Sequence, residues 1–205
     1  MKIVFLHGLG QTARDWKKVV DLIPEYDTEC PELFSISSGE LTYSNVLAEF
    51  EKRYEKTTEP FILCGLSLGG VLALDYTIRH RDKVSSLVLI GAQYKVPTGL
   101  IDFQNFLFRF MPEKSFEETG LSKNDMIKLS HSMRKLDFTS ELSKIVCPVT
   151  VLCGEKDSAN LKAAKALAKA LPGAKLSVIP SVGHEVNKSS PWAIADALAQ
   201  ADKTV

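Results

Sequence analysis

Five short apolar runs, each closed by glycine or proline, constrain this chain more than any other feature of its sequence. They are Ile3–Leu6 before His7-Gly8, Phe61–Cys64 before Gly65, Leu87–Ile90 before Gly91, Val149–Cys153 before Gly154, and Leu176–Ile179 before Pro180. Their apolar residues are continuous rather than alternating, which suits strands buried on both faces, and glycine at the carboxyl end suits a tight exit. A weaker sixth strand is expected near Tyr26–Cys30. Helical patterns fill the gaps, at about Thr12–Ile23, Ser44–Tyr54, Leu68–Arg79, Leu161–Leu171 and Pro191–Ala201. Strand-helix alternation of this kind predicts an α/β fold, with a mostly parallel central sheet of about six strands flanked by helices.

One stretch breaks the rhythm. Residues 93–144 carry Phe103, Phe106, Phe108, Phe110 and Phe116 with a helical signal over Asp125–Leu136. The expected organisation is a core of residues 1–92 and 145–205, with residues 93–144 inserted as a small helical cap over the carboxyl ends of the strands. Open α/β sheets bind ligands at that edge. The aromatics are expected to pack the cap down and to leave a small, apolar pocket beneath it.

Charge narrows the partners. Lysine and arginine total 25 against 25 acidic residues in a chain of 205. Without a basic footprint, neither nucleic acid nor an anionic membrane is the expected partner. Nor does any run approach the roughly 18–20 apolar residues of a membrane span, and His7-Gly8 cut the first apolar run short of a signal peptide. Cys30, Cys64, Cys147 and Cys153 show no CxxC spacing, so neither disulfide nor zinc is expected. The expectation is a reduced, cytoplasmic protein, monomer or homodimer, binding a small molecule with no metal or cofactor.

The chemistry begins at Gly65-Leu66-Ser67-Leu68-Gly69, a G-x-S-x-G pattern with a buried strand before it and a helix after it. A serine hydroxyl is a poor nucleophile near pH 7 unless a base takes its proton. Four histidines are present. His80 reads as a cap on the helix after Ser67, and Asp75 pairs with Arg79 along that helix as an ordinary surface pair. His131 falls in the insertion, lining a pocket or facing water. His7 and His184 both follow strands. Asp157, just past the Val149–Cys153 strand, stands at the edge where it can meet His184; Glu155 and Asp102 are substitutes.

The order His7-Gly8, Gly65-x-Ser67-x-Gly69, Gly154-x-x-Asp157, Gly183-His184 resembles the α/β-hydrolase superfamily, in its serine esterase and lactonase branch. Trp16 after the first motif and Pro191 after the last add to the likeness, which covers nearly all of the chain outside the insertion. It implies a serine hydrolase in which Ser67 attacks a carbonyl, His184 acts as base and then acid, and Asp157 holds the imidazole tautomer. It also implies an oxyanion hole from the backbone N–H groups of Leu9 and Leu68, with His7 shaping the turn rather than moving protons. Measured against the family's eight-stranded sheet, the first strand here corresponds to the third. Serine at position 67 excludes the alkyl-enzyme ester of aspartate-nucleophile relatives such as epoxide hydrolases. The expected substrate is a small, mostly apolar ester or lactone. A lyase or carbon–carbon hydrolase on the same triad, or a low-turnover binding module, remain the alternatives.

Overall fold

The apolar runs lie side by side as strands of one sheet. In the computed structural model, which describes residues 1–35, 39–117 and 119–203, these are β1 (Lys2–Leu6), β2 (Asp27–Glu29), β3 (Phe61–Leu66), β4 (Val84–Ile90), β5 (Val149–Gly154) and β6 (Lys175–Ile179). The order is β2-β1-β3-β4-β5-β6, and every pairing is parallel. The helices are α1 (Lys17–Val20), α2 (Tyr43–Arg53), α3 (Leu68–Arg79), α4 (Thr98–Phe110), α5 (Lys114–Glu117), α6 (Lys123–Ser132), α7 (Ser158–Ala170), α8 (Val186–Ser189) and α9 (Pro191–Asp202).

Strand periodicity splits the core into two layers. Val4, Leu6, Leu63, Leu87, Leu89 and Val151 face the side covered by α2, α3 and α7. Ile3, Phe5, Ile62, Val88, Ile90 and Leu152 face the other, with Trp16, Val19, Ile194 and Leu198. The central strands are therefore apolar over most of their length, because each face has its own helices to bury against. The edge strand β6 departs from that rule: Lys175, Leu176 and Ser177 are exposed.

Several boundaries differ from the sequence reading. The expected helix Thr12–Ile23 is a 3-10 turn, Ala13–Trp16, followed by the single turn α1. Pro24 accounts for the early end of the helix, since it disfavours helical backbone at Ile23. β4 starts at Val84 rather than Leu87; its polar Ser86 is buried because Oγ donates to the Pro148 carbonyl at 3.2 Å. α7 starts at Ser158, directly after Asp157, three residues before the alanine-rich run. In the 93–144 stretch α4 has no counterpart in the sequence reading, while α6 is displaced from Asp125–Leu136 because Ser122 caps it, accepting from the Asp125 N–H at 3.1 Å.

The three helices α4–α6 leave the sheet after β4 and return before β5, and the two arms are tied together. Val96 N–H donates to Leu136 O at 2.9 Å, Phe138 N–H to Tyr94 O at 2.9 Å, and Lys95 pairs with Asp137 at 2.8 Å. The aromatics do not behave as expected. Phe116 is buried and meets Phe108 edge-on, but Phe103, Phe106 and Phe110 are 61%, 55% and 75% exposed on α4. Ile101, Leu129 and Met133 hold the insertion to the core instead. Among the described residues no helix is long and apolar enough to cross a membrane.

Candidate active site

Ser67 stands between β3 and α3 with φ 55° and ψ −117°, a backbone conformation that L side chains rarely adopt. The surroundings hold it there: Ser67 N–H donates to Ile90 O at 2.8 Å, and Val71 N–H donates back to Ser67 O at 3.0 Å. The flanking glycines are required by space. A Cβ on Gly65 would collide with the Gly69 carbonyl, and one on Gly69 with the Leu6 carbonyl. Close approach of α3 to β1 and β3 therefore depends on both, and it lifts the Ser67 side chain above the strand ends, at the positive end of α3.

Asp157 stands at the residue just before α7, and His184 lies in the loop after β6. Backbone bonds from Glu155 N to Ile179 O (2.9 Å) and Lys156 N to Val182 O (2.8 Å) lace these loops together. His184 Nδ1 sits 2.6 Å from Asp157 Oδ2. Burial alone would raise the Asp157 pKa; the bond and charge of His184, then the donors of Asn160, outweigh it and hold the carboxyl below its ordinary value. The carboxylate accepts, so Nδ1 carries the proton and Nε2 is left with a lone pair. Ser67 Oγ makes no hydrogen bond among the described residues, but it lines the same pocket as Asp157 and His184. Such contacts often tighten only when substrate is bound.

Two amides that the sequence reading passed over support the acid. Asn160 Nδ2 donates to both Asp157 oxygens, at 2.9 and 3.0 Å, and lies 3.2 Å from His184 Nδ1. Gln93 Nε2 donates to Asn160 Oδ1 at 2.7 Å, which fixes which way the Asn160 amide faces. The spacing Asp157-x-x-Asn160 across a helix start was a legible signal for the first of these. Gln93, 67 residues away, had no local signal. Beneath the pair lies Gly91, with φ +53°; a Cβ there would come within 3.1 Å of the His184 ring and 3.2 Å of Asp157 Oδ2.

The turn after β1 forms the opposite wall. Gln11 N–H donates to Gly8 O at 3.1 Å, and Gly8 N–H donates to the Gln11 side-chain oxygen at 3.3 Å, closing the turn from both sides. Gln11 Nε2 donates in turn to Glu185 (3.0 Å) and Asn187 (3.3 Å), tying this turn to the His184 loop. Leu9 and Leu68 both line the pocket, and neither N–H has a partner among the described residues, as the first turn of a helix and an open loop allow. His7 is wholly buried beneath the turn. Its Nε2 accepts from Leu33 N–H at 3.0 Å and its Nδ1 lies 3.1 Å from Gly8 O, so the ring is neutral, and burial lowers its pKa.

The other candidates lie elsewhere. Glu155 accepts from Ser181 N–H, and Asp102 pairs with Arg134 at 3.0 Å. His80 meets Glu51 at 3.0 Å, and His131 is exposed on α6. Asp75 pairs with Arg79 as expected but is not a surface residue: it is buried and also accepts from Tyr43 Oη at 3.1 Å, because α2 packs over that face of α3. All four cysteines are free, and no three His, Cys, Asp or Glu side chains gather as metal ligands among the described residues.

The pocket itself encloses about 370 Å³. Ser67, His184 and Asp157 form one side, with Val71, Val96, Ile101 and Met133 supplying the apolar walls. No phenylalanine of the insertion lines it, and besides Ser67 and Asn160 three of its lining residues are neutral and polar: Gln93, Gln104 and Ser130. No lysine or arginine is among the residues around it.

The chain is similar in sequence and fold to known proteins. A stretch of 107 residues is 32% identical to a Haemophilus influenzae protein provisionally named a 2-succinyl-6-hydroxy-2,4-cyclohexadiene-1-carboxylate synthase, spanning 48% of this chain and 43% of that one. A pimeloyl-[acyl-carrier protein] methyl ester esterase of Vibrio vulnificus is 23% identical over 89% of this chain and 86% of its own length. The enol-lactonase from Burkholderia xenovorans LB400 superposes with a TM-score of 0.85 at 15% identity, over 98% of this chain and 91% of that one. Residues 3–197 match the family described as the alpha/beta hydrolase family, and the chain belongs to it.

Proposed function

We propose that this protein is a serine hydrolase of small, mostly apolar carboxylic esters or lactones, working through an acyl-enzyme on Ser67. In this reading His184 Nε2 takes the Ser67 proton as Oγ bonds to the carbonyl carbon. The negative charge that develops on the carbonyl oxygen is held by the N–H groups of Leu9 and Leu68. Collapse breaks the bond to the leaving oxygen, which departs as an alcohol with the proton from His184. Water, deprotonated by the same imidazole, then hydrolyses the acyl-enzyme and Ser67 regains its proton. The observation that carries the reading is the 2.6 Å Asp157–His184 contact in one pocket with a serine held at φ 55°.

The synthase name among the relatives favours a second reading, in which the same groups serve carbon–carbon chemistry on a carboxylate-bearing molecule. The pocket lining weighs against it, since it offers Asp157 and no cation to such a substrate.

A fluorophosphonate probe tests the nucleophile. It should label the wild-type protein and not Ser67→Ala, and 4-nitrophenyl esters of short acids should turn over. In Asp157→Asn the imidazole is left in the wrong tautomer, and kcat should fall by orders of magnitude. Ester turnover that survives Ser67→Ala would refute the assignment, and labelling without turnover would favour the synthase reading.

A further inference from the structure

The insertion contributes to the lining of this pocket a hydroxyl with nothing to bind. Ser130 lies on α6 between Met126 and Met133, is fully buried, and its Oγ has no hydrogen-bond partner. Serine inside a helix ordinarily folds its hydroxyl onto the carbonyl one turn back. Ser132, two residues on, bonds the Leu129 carbonyl at 2.6 Å, but Ser130 does not bond its own helix. A buried hydroxyl left without a partner destabilises the fold, so each one calls for an explanation.

Ser130 shares this lining with Gln104 of α4, the helix packed against α6. Gln104 is half-buried, lines the same pocket, and makes no hydrogen bond to a described residue. Around them the wall is apolar, from Ile101, Val96 and Met133. A wall meant only to hold hydrocarbon would be better served by leucine at position 104 and alanine at position 130. The two side chains are both neutral, each able to donate and to accept, and no lysine or arginine accompanies them.

We infer that Ser130 and Gln104 form a polar subsite that binds an uncharged oxygen function of the substrate, a hydroxyl or carbonyl other than the scissile ester. The inference rests on the esterase reading and narrows it. The preferred substrate is an oxygenated short ester rather than a hydrocarbon one, and it bears no carboxylate in that position. The serine hydroxyl is a rotor that turns its proton or its lone pairs to match either partner. A site that hydrogen-bonds such a group discriminates against the isostere lacking it, because its own polar atoms are then left unpaired.

Matched pairs of esters test this in the intact protein. On the acyl side the pair is 4-nitrophenyl 3-hydroxybutyrate against 3-methylbutyrate; on the alcohol side it is 2-hydroxyethyl butyrate against propyl butyrate. In at least one pair kcat/KM should favour the hydroxylated ester by roughly tenfold, the worth of one such bond. Ser130→Ala should bring that ratio close to one, and Gln104→Leu should reduce it. A stability measurement gives an independent reading: with no ligand bound, Ser130→Ala should melt at the wild-type temperature or above it. A ratio near one in the wild type, a ratio unmoved by Ser130→Ala, or a lower melting temperature in that variant would each overturn the subsite. So would faster turnover of methyl hydrogen succinate than of methyl butyrate. Fluorophosphonate labelling of Ser67, run on the same samples, separates these failures from failure of the esterase reading itself.

Discussion

Replacing Gly91 with alanine probes the Asp157–His184 pair without deleting either partner. The residue has φ +53°, where a side chain costs roughly 1–2 kcal/mol relative to glycine. In a chain of this size that corresponds to a fall in Tm of about 2–8 °C. The new Cβ would stand 3.1 Å from His184 Cε1 and Nδ1 and 3.2 Å from Asp157 Oδ2, whereas ordinary contact begins near 3.4 Å. The pair must therefore move by a few tenths of an ångström or more. Asp157 is held by Asn160 through both of its oxygens, so the imidazole takes up most of the displacement, and Nε2 moves relative to Ser67. A misplacement of about 1 Å costs ~10²-fold in rate, so kcat/KM should fall by between about 10-fold and 100-fold. The assay pairs thermal melts with the second-order rate of fluorophosphonate labelling and with ester turnover. The melting temperature should fall by a few degrees while the labelling rate falls far more than that loss explains. A destabilised variant that retains the wild-type labelling rate would refute the argument, because the pair would then have moved without consequence for Ser67.

Three further outcomes follow from named contacts. Asn160→Ala removes the one amide nitrogen that donates to both carboxylate oxygens, a charged hydrogen bond worth about 1.5–3 kcal/mol when fully expressed, so kcat should fall about tenfold or more with little change in KM. Steady-state kinetics check this, and an unchanged kcat would reduce Asn160 to packing. Gln11→Ala opens the turn that carries the Leu9 N–H; kcat should fall, by at most the ~10²–10³-fold that loss of an oxyanion donor costs, while binding of a neutral product is retained. His7 titrates below its ordinary value of 6.5 because burial disfavours the cation. A base with a depressed pKa contributes stability that is fully present above the unfolded value and is lost as pH falls through the folded one. Denaturant melts of the wild type should therefore weaken as pH drops below about 6.5, and His7→Gln, which keeps an acceptor for Leu33 N–H, should show a shallower dependence. Parallel pH dependences in the two proteins would show that His7 contributes nothing to it.

Much of the frame could be read from local pattern. The five apolar runs became five strands, and the Tyr26–Cys30 signal became the short edge strand β2. Burial on both faces makes most positions of a strand apolar in succession, and that signature survives without any knowledge of neighbours. The reading failed where tertiary context overrides pattern. β6 is an edge, so its apolar run is partly exposed. The aromatic run of α4 points Phe103, Phe106 and Phe110 at solvent, while the less conspicuous Ile101 and Met133 anchor the insertion. Asp75 and Arg79 have the spacing of a surface pair, but only the packing of α2 over α3 reveals that the carboxylate is buried.

The candidate site divides in the same way. By itself the sequence determined the glycine-flanked Ser67 turn, and the strand ends from which His7, Asp157 and His184 depart, because each depends on a few consecutive residues and on a sheet whose strands all run one way. Only the tertiary structure decided that Asp157, rather than Glu155 or Asp102, meets His184. It alone joined Gln93 to Asn160 and Gln11 to Glu185 and Asn187, and left Ser130 unpaired in the pocket wall. These are meetings of side chains from loops up to 176 residues apart. Their distances are set by how helices seat on a twisted sheet, and no spacing along the chain encodes that.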